Sequence, residues 1–396
     1  MQLRLDQSSL ERSHLAHDAA RPDVAKFLDA DWDFPTSPRR VGDVHPYPAR
    51  FIPELPALAL DCLRPNGPVL DPFCGSGTTL VEAVHRGGQA IGIDLNPIAC
   101  LMSRVKTTRW LAADENLVEH HARSLTTQAA GGKSSLNELI LEIPRLDHWF
   151  EPWAQEFLAG ATAYVRQQDP NDPWRDRLAL AVSASTVRIS NQDSDTRYAA
   201  VKKSIGPELA LRVLEDAFRR VVDWLRANAT HIESNAAQVV EADARSIPLR
   251  DGIAAAAVFS PPYPNAYEYW LYHKYRMYWL GFDPIQVRGS EIGARPFYSG
   301  SGTLTADDFR REMTEVFAEV HRLLQPGGAA VVIVGDSMIR GELIDNSDVL
   351  TSAADTAGFD LLASRFRLIR KTSTSFNRRH SRARDGEHVL MFSRRD

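Results

Sequence analysis

Between residues 69 and 94 the chain alternates short apolar runs with glycine-broken polar ones. VLDPF reads as a buried strand, CGSGTTLVEAVHRGG as a glycine turn opening a helix that Gly87 and Gly88 end, and QAIGIDLN as a second strand. Strand, helix and strand in so short a stretch predict a βαβ unit of a parallel sheet. Upstream, Pro53 and Pro56 precede a helical stretch to about Leu63. From Met102 to Asn235 helical periodicity takes over, as in PWRDRLALAVSAS and PELALRVLEDAFRRVVDWLRAN, with a polar loop expected between Arg188 and Ser204. Alternation then resumes through QVVEADA, AAAAVFS, a helix from about Ala306 to Leu324, AAVVIVGDS, a helix after Asn346, FDLLASRFRLI and EHVLMFSR. The pattern predicts a doubly wound, mostly parallel α/β domain built from residues 45–101 and 236–396. A helical insertion, 102–235, interrupts it, and a polar N-terminal arm, 1–44, precedes it.

Composition narrows the function classes. The 396 residues carry a formal net charge of −5, which argues against a protein that coats nucleic acid. The segment from Arg365 to Arg395 is the exception, its Arg and Lys residues opposed only by Asp385 and Glu387. The N-terminus is too polar for a signal peptide and no apolar run is long enough to span a bilayer, so the expected location is cytoplasmic. Three cysteines, Cys62, Cys74 and Cys100, show no C-x-x-C spacing, and the twelve histidines form no ligand pattern, so no metal is expected. GGKSS at Gly131 to Ser135 lacks both the earlier glycine and the leading strand of a phosphate loop.

The ends of the expected strands carry the candidate chemistry. Gly75 and Gly77 are spaced for a turn that lets backbone approach a ligand, without the third glycine of a dinucleotide fingerprint. Asp94 ends the next strand, where a carboxylate can accept from two ribose hydroxyls or cap the following helix. Asp243 ends another and can meet an adenine amino group. Together these suit an adenosine without phosphates. After AAAAVF come Ser260, Pro261, Pro262 and Tyr263, whose prolines stop the strand and fix the direction of the chain leaving it.

DPFCGSGTT, the Asp94 strand end, ADARSIPL and this tetrapeptide, in that order, resemble the S-adenosylmethionine-dependent amino-methyltransferases that modify exocyclic amines of DNA bases. HPYPARFIPEL resembles that family's segment at the methionine end of the cofactor. The resemblance implies a seven-stranded Rossmann-like methyltransferase sheet. It implies S-adenosyl-L-methionine as cofactor, held by Phe51, Asp71, Phe73, Gly75, Gly77, Thr78, Asp94 and Asp243, and Ser260 to Tyr263 as catalytic residues. It also implies a DNA substrate whose target base is flipped out or single-stranded, a cognate restriction enzyme or defence-system partner, and target recognition in the insertion.

In that reading Ser260 Oγ and the Pro261 carbonyl hold the hydrogens of a poorly nucleophilic amine while its nitrogen turns tetrahedral, and Tyr263 stacks on the base. Serine at the first position resembles the cytosine-N4 members, Asp or Asn there being commoner among adenine-N6 members, although many serine-type members have the opposite motif order. Adenine N6, an RNA amine and a catalytically silent nucleic-acid binder stay open as alternatives. No cysteine follows a proline, which speaks against methylation at a pyrimidine carbon. Arg188, Arg197 and Lys202, with Arg378, Arg379 and Arg382, are candidate phosphate contacts. Tyr267, Tyr269, Trp270 and Tyr272 either line a base pocket or fill a core.

Overall fold

Seven of the apolar runs assemble into one sheet in the computed structural model, which describes residues 21–34, 44–48, 50–132, 143–195, 197–233, 236–264, 267–299, 301–369 and 386–396. The strands are β1 (Val69–Asp71), β2 (Ala90–Asp94), β3 (Ala237–Glu241), β4 (Ala254–Phe259), β5 (Leu324–Gly335), β6 (Phe359–Leu368) and β7 (Gly386–Arg394). Their order is β6-β7-β5-β4-β1-β2-β3. β1 to β5 are parallel, while β7 runs antiparallel to β5 and β6. Succession from β1 moves one way across the sheet and succession from β4 the other. The crevice beyond the C-terminal ends of β1 and β4 is therefore the topological switch point, where such sheets bind ligands.

Burial explains each strand's composition. Central β4 is buried at every position, and its four alanines let helices approach from both sides. Edge strand β6 buries every fourth residue, Phe359, Ala363 and Arg367, and exposes Leu361, Leu362, Phe366 and Leu368 together with the charged Asp360 and Arg365. On one face, α1 (Val24–Asp29), α2 (Glu54–Leu63) and α3 (Thr78–His85) set Phe27, Leu55, Leu60 and Leu80 against Val69, Val258 and Val331. On the other face the helix Ala306–Leu323 sets Phe309, Met313 and Phe317 against Leu70, Phe259 and Val332.

A third core belongs to the insertion. It joins α4 (Pro97–Thr107), α5 (Val118–Ala130), α6 (Pro152–Gln167), α7 (Pro173–Ile189), α8 (Pro207–Asn228) and α9 (Tyr269–Leu280). α4 crosses the boundary expected at residue 102, and α9 joins this core from beyond its far end. The polar loop expected after Arg188 contains a small hairpin, Gln192–Ser194 with Arg197–Ala200, too short and polar to register as alternation. Within the arm, α1 and the buried Trp32 pack onto the sheet, and Arg367 on β6 donates to the Trp32 carbonyl at 2.9 Å. No helix among the described residues is long and apolar enough to cross a membrane. Arg378, Arg379 and Arg382 lie outside the described residues.

Candidate active site

A cavity of about 460 Å³ opens at the switch point, within the range of small-molecule sites. Its wall includes Phe51, Asp71, Phe73, Gly75, Thr78, Asp94, Asp243 and Ser260 to Tyr263, so strand ends far apart in sequence meet around one space. Gly75 and Asp94 form the cofactor-like end. Gly75 has φ +49°, and a β-carbon there would stand 3.2 Å from the Tyr47 ring. Its N–H donates to Asp94 Oδ2 at 2.8 Å, while Asp94 Oδ1 accepts from Asn96 N at 2.8 Å. Burial raises the Asp94 carboxyl to about 6 and that of Asp71 to about 7. These residues fit an adenosine: a bare glycine backbone, an acidic acceptor and an apolar wall at Phe51 and Phe73.

Gly77 departs from expectation. It is absent from the cavity wall, and a β-carbon there would lie 2.8 Å from Ser103 Oγ and 3.0 Å from Ser103 Cα. With φ +77°, Gly77 serves the left-handed turn and the close packing of α3 on α4. Asp243 reaches the cavity, but its carboxylate is already engaged: Arg245 Nη2 donates to Oδ2 at 2.6 Å and Arg245 Nε to Oδ1 at 2.9 Å. Adenine would meet a carboxylate that this arginine fixes in place.

The chain leaving β4 supplies the other end. Ser260, Pro261, Pro262 and Tyr263 all face the cavity, and the Tyr263 hydroxyl passes the tip of β5, 3.5 Å from where a β-carbon on Gly335 would be. Burial pushes the Tyr263 phenol far above its ordinary value, so it stays neutral. Of the aromatic candidates, Tyr267 and Tyr269 line the cavity, whereas Trp270 is buried in the helical core. Cys74 also lines it, but burial raises its thiol well above the usual range, leaving no thiolate to attack a pyrimidine carbon.

Tyr47, Glu291, Arg367 and Glu387 are among the cavity residues that sequence reasoning missed. Tyr47 stacks with Tyr269 and with His273, ring centroids 5.6 and 5.3 Å away. Glu291 accepts from Tyr269 N at 2.7 Å and Trp270 N at 3.1 Å, bracing the start of α9, and burial raises it to about 8. Arg367 and Glu387 pair at the tips of β6 and β7. The only sequence signal for any of them was Tyr47's place in HPYPARF. Arg188, Arg197 and Lys202 are exposed and stand off the cavity wall, Arg197 facing Asp193 at 3.4 Å. Among the described residues one group with metal-ligand chemistry comes together, Asp336, Asp345 and His388, also off the wall.

Parts of this chain are similar to known proteins. Residues 10–104 match a family model described as DNA methylase, of the N6/N4 type. The type II methyltransferase M.MvaI of Kocuria varians is 33% identical over 115 residues, 27% of this chain and 25% of that protein. M.MjaII, a type II methyltransferase of Methanocaldococcus jannaschii, is 41% identical over 73 residues, 18% of this chain and 14% of that protein. The chain thus spans a quarter or less of the length of these curated relatives. A proposed DNA modification methylase of Thermus thermophilus, solved with S-adenosyl-L-methionine, is similar at 21% identity and a TM-score of 0.25, over 39% of this chain and 54% of that one.

Proposed function

We propose that this chain, a member of the N6/N4-type DNA methylase family, transfers the methyl group of S-adenosyl-L-methionine to an exocyclic amine of a DNA base, with cytosine N4 the favoured acceptor. The observation that carries the reading is the opening of the Ser260 to Tyr263 turn into the same cavity as the Gly75 turn and Asp94. Phe51, Phe73, Gly75, Thr78 and Asp94 would hold the cofactor, whose sulfonium supplies an electrophilic methyl carbon. Asp94 has acceptor capacity for ribose hydroxyls when ionised.

The protein's part is positioning. An exocyclic amine shares its lone pair with the ring, so attack requires that its hydrogens be held out of the ring plane. Ser260 Oγ and the Pro261 carbonyl can accept those hydrogens, and the paired prolines keep both acceptors fixed, so little reorganisation accompanies the transfer. Transfer would form the nitrogen–methyl bond at the expense of the cofactor's carbon–sulfur bond, and the nitrogen would then release its surplus proton to water. A base inside a duplex cannot reach a crevice at strand tips, so it enters flipped or from a single strand, with Tyr263 and Tyr267 as aromatic faces. Serine as the first residue of the turn favours cytosine.

The test is in vitro methylation of mixed-sequence DNA with labelled S-adenosylmethionine, followed by nucleoside analysis. N4-methylcytosine is expected. Ser260→Ala should slow its formation, and Tyr263→Ala should slow it more, since stacking on one aromatic ring contributes about 1–3 kcal/mol. Full activity in both variants would move the active site elsewhere.

A further inference from the structure

Arg367 and Glu387 stand opposite each other in the antiparallel register of β6 and β7, and both line the cavity at the end away from the glycine turn. Arg367 is only 6% exposed. Its Nε donates to the Trp32 carbonyl at 2.9 Å and its Nη1 to Glu387 Oε2, which leaves Nη2 with no acceptor among the described residues. Three of its five N–H groups, two of them on Nη2, thus have no protein acceptor among the described residues, and a ligand entering the cavity that Arg367 lines can accept from them. The ion pair and the Trp32 carbonyl fix the direction of the guanidinium, so Nη2 is preorganised as a donor.

Topology puts this donor on the base side of the cavity. β6 lies three strands beyond β4, roughly 14 Å at about 4.8 Å per strand, and four beyond β1, where the glycine turn begins. The arginine side chain spans part of that width, leaving space of the order of one pyrimidine ring with a hydrogen bond at each end. Glu387 is also close to the aromatic wall: after burial itself, its charge is the next influence raising the Tyr263 and Tyr267 phenols.

We infer that Arg367 selects the target base: with the amine held at Ser260 and Pro261, Nη2 donates to O2 of a cytosine, and Glu387 holds the guanidinium in that direction. Adenine places a C–H where cytosine carries O2, so it leaves the buried donor unsatisfied. The pair is thus a specificity determinant that acts through the pyrimidine carbonyl. The inference rests on the amine-methylation reading above and adds to it the contact that chooses the base.

The experiment compares wild type with Arg367→Met on mixed-sequence DNA at limiting DNA concentration. N4-methylcytosine and N6-methyladenine are counted separately, and cofactor affinity and thermal unfolding are measured in parallel. Wild type should form N4-methylcytosine. The variant should form it roughly 10- to 100-fold more slowly, with a larger adenine share and unchanged cofactor affinity. An unchanged rate and base ratio would overturn the inference. So would loss of cofactor affinity in a folded variant, which would assign the donor to the cofactor's carboxylate. Wild-type production of N6-methyladenine would overturn it while leaving amine methylation standing, and wild-type production of no methylated base would remove both. If Arg367→Met does not fold, Glu387→Gln, which keeps the side-chain shape, should loosen the guanidinium and slow cytosine methylation at constant cofactor affinity. Wild-type behaviour of that variant would equally refute the role.

Discussion

Gly77→Ala separates two roles a glycine turn can have. The added β-carbon would stand 2.8 Å from Ser103 Oγ and 3.0 Å from Ser103 Cα. The hydroxyl can rotate away, but the Cα belongs to α4 and cannot. The left-handed backbone at φ +77° adds about 1–2 kcal/mol for an L residue, and overpacking of this kind costs about 1–3 kcal/mol. Gly77→Ala should therefore lose about 2–5 kcal/mol of stability. Urea unfolding gives the measurement, the midpoint moving at unchanged slope. Calorimetry on the folded protein should find S-adenosylmethionine affinity unaltered, because the cavity wall does not include this residue. Gly75→Ala should behave differently: its β-carbon would press on the Tyr47 ring at 3.2 Å, a wall shared with the cavity, and so weaken cofactor binding. Wild-type stability in Gly77→Ala together with a large loss of affinity would refute the packing argument and return the residue to the ligand.

Further measurements address the charges around the cavity. Asp94 carries its proton up to about pH 6 because it is buried, and only the ionised form has full acceptor capacity. S-adenosylmethionine affinity should fall as pH drops through about 6, and Asp94→Asn should bind weakly with this dependence flattened; a wild-type affinity constant from pH 5 to 7 would remove Asp94 from the cofactor contact. Arg188→Ala with Lys202→Ala should lower the salt slope of duplex binding by about 0.9 for each phosphate that is no longer neutralised, without changing the methylated base. An unaltered slope would leave both residues as ordinary solvated side chains.

The parts of the site that could be read from sequence are those where backbone chemistry marks itself. Glycine after VLDPF and proline after AAAAVF both end a buried strand, so each strand tip was legible without knowing its neighbours. Three-dimensional partnership was not. Gly75 and Gly77 look equivalent in the chain, and only the position of Ser103 on α4 distinguishes the one packed against a helix from the one that lines the cavity. Asp243 looked available until Arg245, two residues on, proved to hold it. In the sequence Arg367 and Glu387 belong to a basic segment, and nothing local shows that one donates to the Trp32 carbonyl and stands opposite the other. Glu291 has no sequence mark at all, since its role is to accept two amides of a helix that precedes it.

The Tyr47 ring touches both halves of the molecule. It stacks with Tyr269 and His273 of α9, whose core is that of the insertion, and its edge meets the space over Gly75. An engineer who wished to exchange the insertion for another, as one swaps a reading head, could not cut at residues 102 and 235 and keep the rest. The graft would have to carry α4 and α9 with it, and whatever replaced α9 would have to present an aromatic surface to Tyr47. Variation in this lineage should accordingly accumulate on the outer helices α5, α6 and α8, leaving the α4–α9 seam nearly invariant.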